Sequence, residues 1–223
     1  VPAVRLVVGL GNPGPRYAGP RHNAGQLVID ELARRLGVGR FTDRYAGRFV
    51  QTRGPAGPVA LLVPTTYMND SGRSVGPAAG ALRLNRSSVL VIHDEIDLPF
   101  GGLRAKVGGG HGGHNGLRSI IQALGGRDFL RVRVGVGRPP TDFRGDEAAW
   151  VLGRFTEPAE EVRALLTRAA DMVESVLEVG IDATIARFHA SPPGERARRR
   201  AQRRARAVEP EPGPIDGSQA EPE

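Results

Sequence analysis

Residues 4–14 read VRLVVGLGNPG, an apolar run that breaks up into glycines and a proline. Its β-branched residues are typical of a buried strand, and its Gly and Pro residues indicate an irregular loop. Similar short apolar runs recur at 48–52, 59–64, 89–93, 103–107 and 129–137. Helical patterns lie between several of them, at 26–36, 71–84 and 116–124. This alternation predicts an α/β fold around a sheet covered by helices on both faces.

The runs at 48–52 and 59–64 lie close together across a Gly-Pro segment, which favours a hairpin. The predicted sheet is therefore twisted, mixed and mostly parallel. Past Thr156, a candidate helix N-cap, apolar residues recur with a helical period as far as Leu177. This pattern indicates one long helix, with a short helix following through His189. We expect residues 1–190 to form a single α/β domain.

The composition changes after Ala190. Residues 191–223 contain seven Arg in one short run, then an acidic stretch rich in Pro and Gly, and almost no apolar residues. Such a segment cannot bury enough surface to offset the conformational entropy lost on ordering. We therefore expect 191–223 to be a disordered tail.

Composition and charge exclude several classes of protein to which the chain could belong. The chain has 223 residues, 39% of them hydrophobic, and no Cys, which excludes disulfides, thiolate nucleophiles and Cys-ligated zinc. No run of 18 apolar residues and no basic leader occurs, so we expect a cytoplasmic protein without membrane contact. The net charge of +7 favours a polyanionic partner such as nucleic acid. An arginine-rich composition with a basic tail is the alternative explanation.

The segment GLGNPG at 9–14 has the G-x-G-x-x-G spacing of dinucleotide-binding loops. In those loops a helix begins at once, and an acidic residue ends the next strand. Here prolines delay the helix to about Asn23, and the next strand ends without an acid. The favoured interpretation is a loop that presents Asn12, Tyr17, His22 and Asn23 to the crevice beyond the strand ends. A nucleotide cofactor is the minor alternative.

His22 precedes a predicted helix and is a candidate general base. Its alternative role is to cap that helix. The strand at 89–93 runs into the acidic segment HDEID, and Asp94 is the preferred carboxylate for accepting the Nδ1–H of the base. The alternative is a divalent metal site formed by these acids with His111 and His114.

Two further segments carry polar residues to the predicted crevice. GGGHGGHNGL at 108–117 precedes a helix, and its Asn115 is a candidate donor to a substrate carbonyl, although a flexible lid is the simpler interpretation. PTTYMNDSG at 64–72 follows a strand and supplies Tyr67, Met68 and Asn69. Asn69 is either a helix cap or a group that holds a peptide or a base.

Taken together, these segments resemble the bacterial-type peptidyl-tRNA hydrolase family. The resemblance rests on GLGNPGPRYAGPRHNAG, VPTTYMNDSG, HDEIDLPFG and GGGHGGHNGLRSII, with FLRVRVGVGRP and VLGRF, and spans roughly residues 4–190. It implies cleavage of the ester between a peptide and the 3′ ribose of tRNA, without a metal or a cofactor. Members acting in RNA splicing share the fold, so a non-catalytic RNA-binding protein is the alternative.

The resemblance also implies a role for each candidate residue. His22 would activate water, and Asp94 would hold the His22 side chain. The peptide and the tRNA end would be bound by Asn12, Asn69 and Asn115. The cleft would be lined by Tyr17, Tyr67 and Met68. The 5′ phosphate of tRNA would be held by Lys106 and Arg133. Lys106 is the single lysine of the chain. Pro20 and Tyr67 depart from the Thr and Phe common in the family. We expect a monomer whose partner is peptidyl-tRNA.

Overall fold

The computed structural model of the chain describes residues 3–14 and 19–189. Within them, seven strands form one sheet in the order β2-β3-β4-β1-β5-β7-β6. The strands are β1 (Leu6–Gly9), β2 (Thr42–Arg44), β3 (Gly47–Gly54), β4 (Gly57–Pro64), β5 (Val89–Glu95), β6 (Leu103–Val107) and β7 (Leu130–Gly135). β4, β1, β5 and β7 are parallel neighbours, whereas β3 and β6 run antiparallel to theirs. The predicted mixed, mostly parallel sheet and its hairpin are confirmed.

Helices cover both faces of the sheet, as the alternating pattern predicts. They are α1 (Ala24–Arg35), α2 (Gly72–Ala81), α3 (Asn115–Leu124), α4 (Glu147–Leu152), α5 (Ala159–Val179) and α6 (Ile181–His189). The apolar faces of α1 and α5 pack on one side against strand residues such as Val7 and Ile92. Those of α2 and α3 pack on the other side against Val8 and Val91. Two buried cores therefore hold the sheet rigid between them.

The structure differs from the sequence pattern mainly where elements end. α2 stops at Ala81 rather than Leu84, because Arg83 adopts a left-handed φ of 53° that a helix cannot continue through. The prediction that Thr156 caps α5 is wrong, since Pro158 occupies the N-cap position. β2 and α4 were not predicted, because three and six residues are too few to show a period.

The sheet edge at β6 is closed by the end of α6. The Nε2 atom of His189 accepts a hydrogen bond from the backbone N–H of Ala105, at 2.9 Å. Burial followed by the charge of Arg104 lowers the pKa of His189, which keeps the ring neutral and able to accept. α6 is thereby attached to the outer side of this strand.

No helix among the described residues is long and apolar enough to cross a membrane. The predicted tail at 191–223 and the predicted cleft residue Tyr17 both lie outside the described residues.

Candidate active site

A cleft of about 480 Å³ opens where the parallel strands end. The segments that follow β1 and β4 contribute Asn12 and Met68, and the end of β5 contributes Asp94. The carboxyl ends of parallel strands meet at one edge of a sheet, which explains why distant segments converge here. The loop before α3 and one side of α4 complete the walls.

His22 reaches this cleft because α1 lies unusually close to the sheet. The residue belongs to a short 3₁₀ turn, Arg21–Asn23, directly before α1. A Cβ atom on Gly25, in the first turn of α1, would lie 2.2 Å from the carbonyl oxygen of Ile92 in β5. A glycine is therefore required for this approach, which places His22 beside Asp94.

The His22 imidazole is bound to the Asp94 carboxylate. Its Nδ1 atom lies 2.9 Å from Oδ1 and 3.0 Å from Oδ2. Nδ1 donates its proton to the carboxylate, so the neutral ring carries no proton on Nε2. Burial acts to lower the pKa of His22, but the charge and hydrogen bond of Asp94 prevail and raise it. The alternative role of His22 as a helix cap is wrong, since Asn23 holds the N-cap position of α1.

A second imidazole binds the same carboxylate. The Nε2 atom of His114 lies 3.1 Å from Asp94 Oδ1. Its Nδ1 atom accepts from the backbone N–H of Leu117, which makes His114 the N-cap of α3. Burial alone would raise the pKa of Asp94, but the two imidazoles hold it well below its usual range. Asp94 is therefore a buried anion bonded to two histidines, whose ring centroids lie 4.9 Å apart.

Glu95, Asp97 and His111 do not take part in the metal site considered as an alternative. Glu95 pairs with Arg133 at 2.8 Å, and Asp97 pairs with Arg138. His111 accepts a hydrogen bond from the N–H of Gly113 in its own loop. These side chains are engaged in three separate places, whereas Asp94 and His114 of the expected ligand set lie together.

A different trio among the described residues brings metal-ligating atoms within 4.8 Å of one another: His22, Asp94 and His114. The imidazole protons of both histidines already point at the carboxylate in this trio. A cation could bind there only by replacing those protons. The neighbouring His93 is buried, and burial together with His114 lowers its pKa to about 3. It donates from Nδ1 to the carbonyl oxygen of Asp94, at 2.7 Å, and so braces the end of β5.

Asn12 is fixed with its amide group in the cleft. Its Oδ1 accepts from the backbone N–H of Met68, at 2.8 Å. Asn23 accepts from the backbone N–H of Asn12 at 2.8 Å and donates to its carbonyl at 3.1 Å. Among the described residues, the side-chain NH₂ of Asn12 has no hydrogen-bond partner. The expectation that Asn23 faces the crevice is wrong, because Asn23 is buried and supports Asn12.

The backbone of the 9–14 loop also explains why the dinucleotide pattern misleads. Its N–H groups at Leu10 and Asn12 donate to the carbonyl of Ile92 and to the side chain of Asn23. Dinucleotide-binding loops direct such groups at a pyrophosphate instead. The glycines here serve close packing, as at Gly9, where a Cβ would lie 2.3 Å from the carbonyl oxygen of Gly25.

Asn69, Asn115 and Tyr67 line the cleft with exposed side chains. Tyr67 is 61% exposed, an unusual state for an aromatic residue next to an apolar wall. The alternative that Asn69 caps a helix is wrong, since Ser71 holds the N-cap position of α2. Among the described residues, the side-chain amides of Asn69 and Asn115 have no hydrogen-bond partner, and both are exposed to the cleft.

Lys106 and Arg133 lie on neighbouring strands, β6 and β7, and on one face of the sheet. β6 and β7 are antiparallel neighbours in which Lys106 pairs with Arg131 and Arg104 with Arg133. Residues two apart on a strand share a face, so all four cations project the same way. Burial and the charges of Arg133 and Arg131 lower the pKa of Lys106. Arg133 also pairs with a local carboxylate, Glu95, at 2.8 Å.

Arg131 was not predicted as a site residue. It is 2% exposed and donates to the carbonyl oxygens of Gly109 and Gly110, at 2.5 and 2.7 Å. It therefore fixes the glycine loop that leads to His114 and Asn115.

The α4 wall is the other part of the site that sequence reasoning missed. Glu147, Ala148, Val151 and Leu152 line the cleft from this helix. Asp146 caps the helix by accepting from the N–H of Ala149, at 2.8 Å. This Asp cap was the available local signal, since the helix itself is too short to show a period.

Comparisons with known proteins agree on one family. Residues 6–197 match the family model described as peptidyl-tRNA hydrolase. The peptidyl-tRNA hydrolase of Mycobacterium tuberculosis is 50% identical over 188 residues, covering 83% of this chain and 97% of that protein. That of Pseudarthrobacter chlorophenolicus is 50% identical over 187 residues, covering 82% and 94%. A crystal structure of the Acinetobacter baumannii peptidyl-tRNA hydrolase has a TM-score of 0.74 and 37% identity, covering 84% of this chain and 95% of that one.

Proposed function

Because the chain belongs to the peptidyl-tRNA hydrolase family and is a hydrolase of peptidyl-tRNA, we propose that His22 is its general base and Asp94 the partner of that base. The observation that carries this proposal is the pair of hydrogen bonds from His22 Nδ1 to Asp94, at 2.9 and 3.0 Å, inside the cleft. A carboxylate in this position fixes the tautomer that leaves Nε2 free to take a proton.

The reaction follows from that tautomer. A water molecule bonds to the ester carbonyl carbon and gives one proton to Nε2 of His22. The buried carboxylate of Asp94 stabilises the imidazolium that forms. When the tetrahedral intermediate collapses, the carbon–oxygen bond to the ribose breaks, and the imidazolium returns the proton to the 3′ oxygen. The products are a tRNA with its 3′ hydroxyl and a peptide carboxylic acid, which ionises by releasing the second water proton to solvent.

Three amide side chains supply donors in this proposal. The NH₂ group of Asn12 is held in the cleft by the Met68 backbone and is suited to a carbonyl of the peptide. Asn69 and Asn115 lie at the opening and are suited to the peptide and the tRNA end. Neutral amides donate without placing charge near a polyanionic substrate. Tyr67 and Met68 provide the apolar wall, and Tyr17 is proposed to contact the same substrate.

Asn69→Ala and Asn115→Ala are each expected to raise KM about 5- to 150-fold with kcat nearly unchanged, since a lost hydrogen bond in a desolvated contact is worth roughly 1–3 kcal/mol. Steady-state kinetics on N-acetyl-aminoacyl-tRNA measures both constants. A large fall in kcat at saturating substrate, with unchanged binding, contradicts the binding role and makes the affected residue a donor to the oxyanion.

Lys106 and Arg133 are proposed to hold the 5′ phosphate of tRNA, on the basis of their shared face and clustered charge. Each Ala variant is expected to weaken binding of 5′-phosphorylated tRNA and to lower the salt slope by about one unit. Cleavage of a short peptidyl-adenosine fragment should be unchanged. Arg34→Ala, at an exposed pair with Glu31 on α1, is the control.

Hydrolysis of phosphorylated and dephosphorylated tRNA by each variant tests this role. The proposal requires that each variant hydrolyse phosphorylated tRNA more slowly than wild type does, and dephosphorylated tRNA at the wild-type rate. An equal loss with both forms, or none with either, rejects the phosphate contact and leaves Arg133 with its local partner Glu95.

We also propose that the reaction is independent of metals and cofactors and that the protein acts as a cytoplasmic monomer on peptidyl-tRNA. The test of function is purified protein with N-acetyl-aminoacyl-tRNA, with and without EDTA. Release of N-acetyl-amino acid at equal rates in both supports the proposal. Loss of activity with EDTA points to a metal at His22, Asp94 and His114. Binding of tRNA with an intact ester indicates the alternative, a non-catalytic RNA-binding protein.

A further inference from the structure

Arg21 is a buried arginine directly before the proposed base. Its side chain is 1% exposed, although it carries a charge. The guanidinium carbon lies 3.6 Å from the centroid of the Trp150 ring and 5.6 Å from that of Phe155. Burying a charge is unfavourable unless it is well paired, and a hydrophobic residue would fill the same space more simply. The position of this arginine therefore calls for an explanation beyond packing.

The polar partners of Arg21 all lie in the segment after α4. The guanidinium donates to the carbonyl oxygen of Arg154, to Thr156 Oγ1 at 2.9 Å and to Glu157 Oε2 at 3.2 Å. Glu157 in turn accepts from the backbone N–H of Thr156, at 2.8 Å. A planar guanidinium can stack and donate in several directions at once, which a lysine cannot do.

The backbones of the two segments are joined as well. The N–H of Arg21 donates to the carbonyl oxygen of Gly153 at 3.0 Å, and Pro20 forms an isolated antiparallel bridge with Arg154. The Trp150 indole, beneath the guanidinium, donates to the carbonyl of Gly137 at 2.9 Å. The turn that carries His22 is thus attached to the base of α4 and to the segment after β7.

We infer that Arg21 is a positioning residue that fixes the His22 turn against the α4 wall of the cleft. His22 and Val151 line the same cleft, so this attachment sets the position of the proposed base relative to the α4 part of the wall. The inference rests on the proposed role of His22 as base. Misplacement of a reacting group by about 1 Å can lower a rate about 10²-fold, so a residue that sets this distance acts on turnover.

The primary test is Arg21→Met, with kinetics on N-acetyl-aminoacyl-tRNA. We expect kcat to fall about 10- to 100-fold, with KM within about threefold of wild type. The acid limb of the pH–kcat profile should move to lower pH, because a displaced His22 loses part of its contact with Asp94. A purely structural role would reduce the amount of folded enzyme without moving that limb.

Two further variants distinguish the positioning of His22 from the charge of Arg21 and from the thermal stability of the protein. Arg21→Lys keeps the positive charge beside Glu157 but cannot reproduce the stack and the donor pattern, so it should not restore kcat. The double variant R21M/E157Q removes both charges and avoids an unpaired Glu157. It should regain thermal stability while kcat stays low, which keeps the test valid if Arg21→Met folds poorly.

Arg35→Met is the matched control. Arg35 is also a largely buried, multiply bonded arginine, pairing with Glu31, Asp171 and Glu174 and donating to the carbonyl of Thr167. It lies at the end of α1 that is far from His22. At a rise of 1.5 Å per residue, the two residues are about 20 Å apart along the helix axis. This variant should lower thermal stability as much as Arg21→Met does and leave kcat and the acid limb unchanged.

The outcomes distinguish this inference from the proposed catalytic mechanism. Wild-type kcat and pH profile in Arg21→Met, or full recovery in Arg21→Lys or in R21M/E157Q, overturn the positioning role while the role of His22 stands. A rise in KM alone overturns it too and assigns Arg21 to the substrate wall. An active His22→Ala enzyme would reject the base itself, and this inference with it.

Discussion

His22→Ala is expected to lower kcat on N-acetyl-aminoacyl-tRNA by about 10²- to 10⁴-fold, the usual contribution of a positioned general base. Binding of tRNA should stay near wild type, because His22 is bonded to Asp94 and faces the cleft as a proton acceptor. Single-turnover hydrolysis and tRNA binding, measured on the same preparation, check the two parts separately.

Added imidazole provides a control for the fold of this variant. If the missing group is a base, free imidazole should restore part of the activity in proportion to its neutral form. Hydrolysis at the wild-type rate without imidazole would remove the proposed mechanism.

Asp94→Asn is expected to lower kcat by about 10²- to 10⁴-fold, no more than His22→Ala does, since a catalytic histidine whose partner loses its charge loses about 10⁴-fold in the serine-protease case. The carboxylate accepts from His22 and from His114 at the same time. An asparagine has one acceptor oxygen, and its NH₂ would face one of the imidazole N–H groups. One ring must then change its tautomer or turn away, and the base loses its orientation.

The pH profile gives the same variant a second readout. Asp94 raises the pKa of His22 against the opposing effect of burial. The base works in its deprotonated form, so activity rises with pH through this pKa. Removing the carboxylate lowers the pKa of His22, and the acid limb should move to lower pH. An unchanged rate and profile in Asp94→Asn would show that the carboxylate has no such task.

The sequence predicted the fold well where elements are long enough to show a period. The alternation of apolar runs with helical patterns indicated the α/β sheet, and the spacing up to Leu177 indicated the long helix α5. The ends were less predictable, because they depend on single residues. Arg83 stops α2 with its left-handed φ, and Pro158 rather than Thr156 begins α5, since the hydroxyl of Thr156 is bonded to Arg21.

The sequence predicted those site residues whose positions depend on where the parallel strands end. Asn12, Met68 and Asp94 all follow or end parallel strands, and the structure brings them to one cleft. The hydrogen bond from His114 to Asp94 depends instead on how a glycine loop folds back. That path is set by contacts distant in the sequence, such as those of Arg131 with Gly109 and Gly110, and no local pattern encodes them.

The attachment of α6 to β6 has a consequence for association. The last strand of an open sheet exposes unpaired N–H and C=O groups that can recruit a strand from another molecule. At β6 the N–H of Ala105 is already bonded to His189, and α6 packs beside the strand. The opposite edge, β2, is three exposed residues long and carries Asp43 and Arg44. Both borders of the sheet therefore resist edge-to-edge aggregation, one because it is covered and the other because it is short and charged.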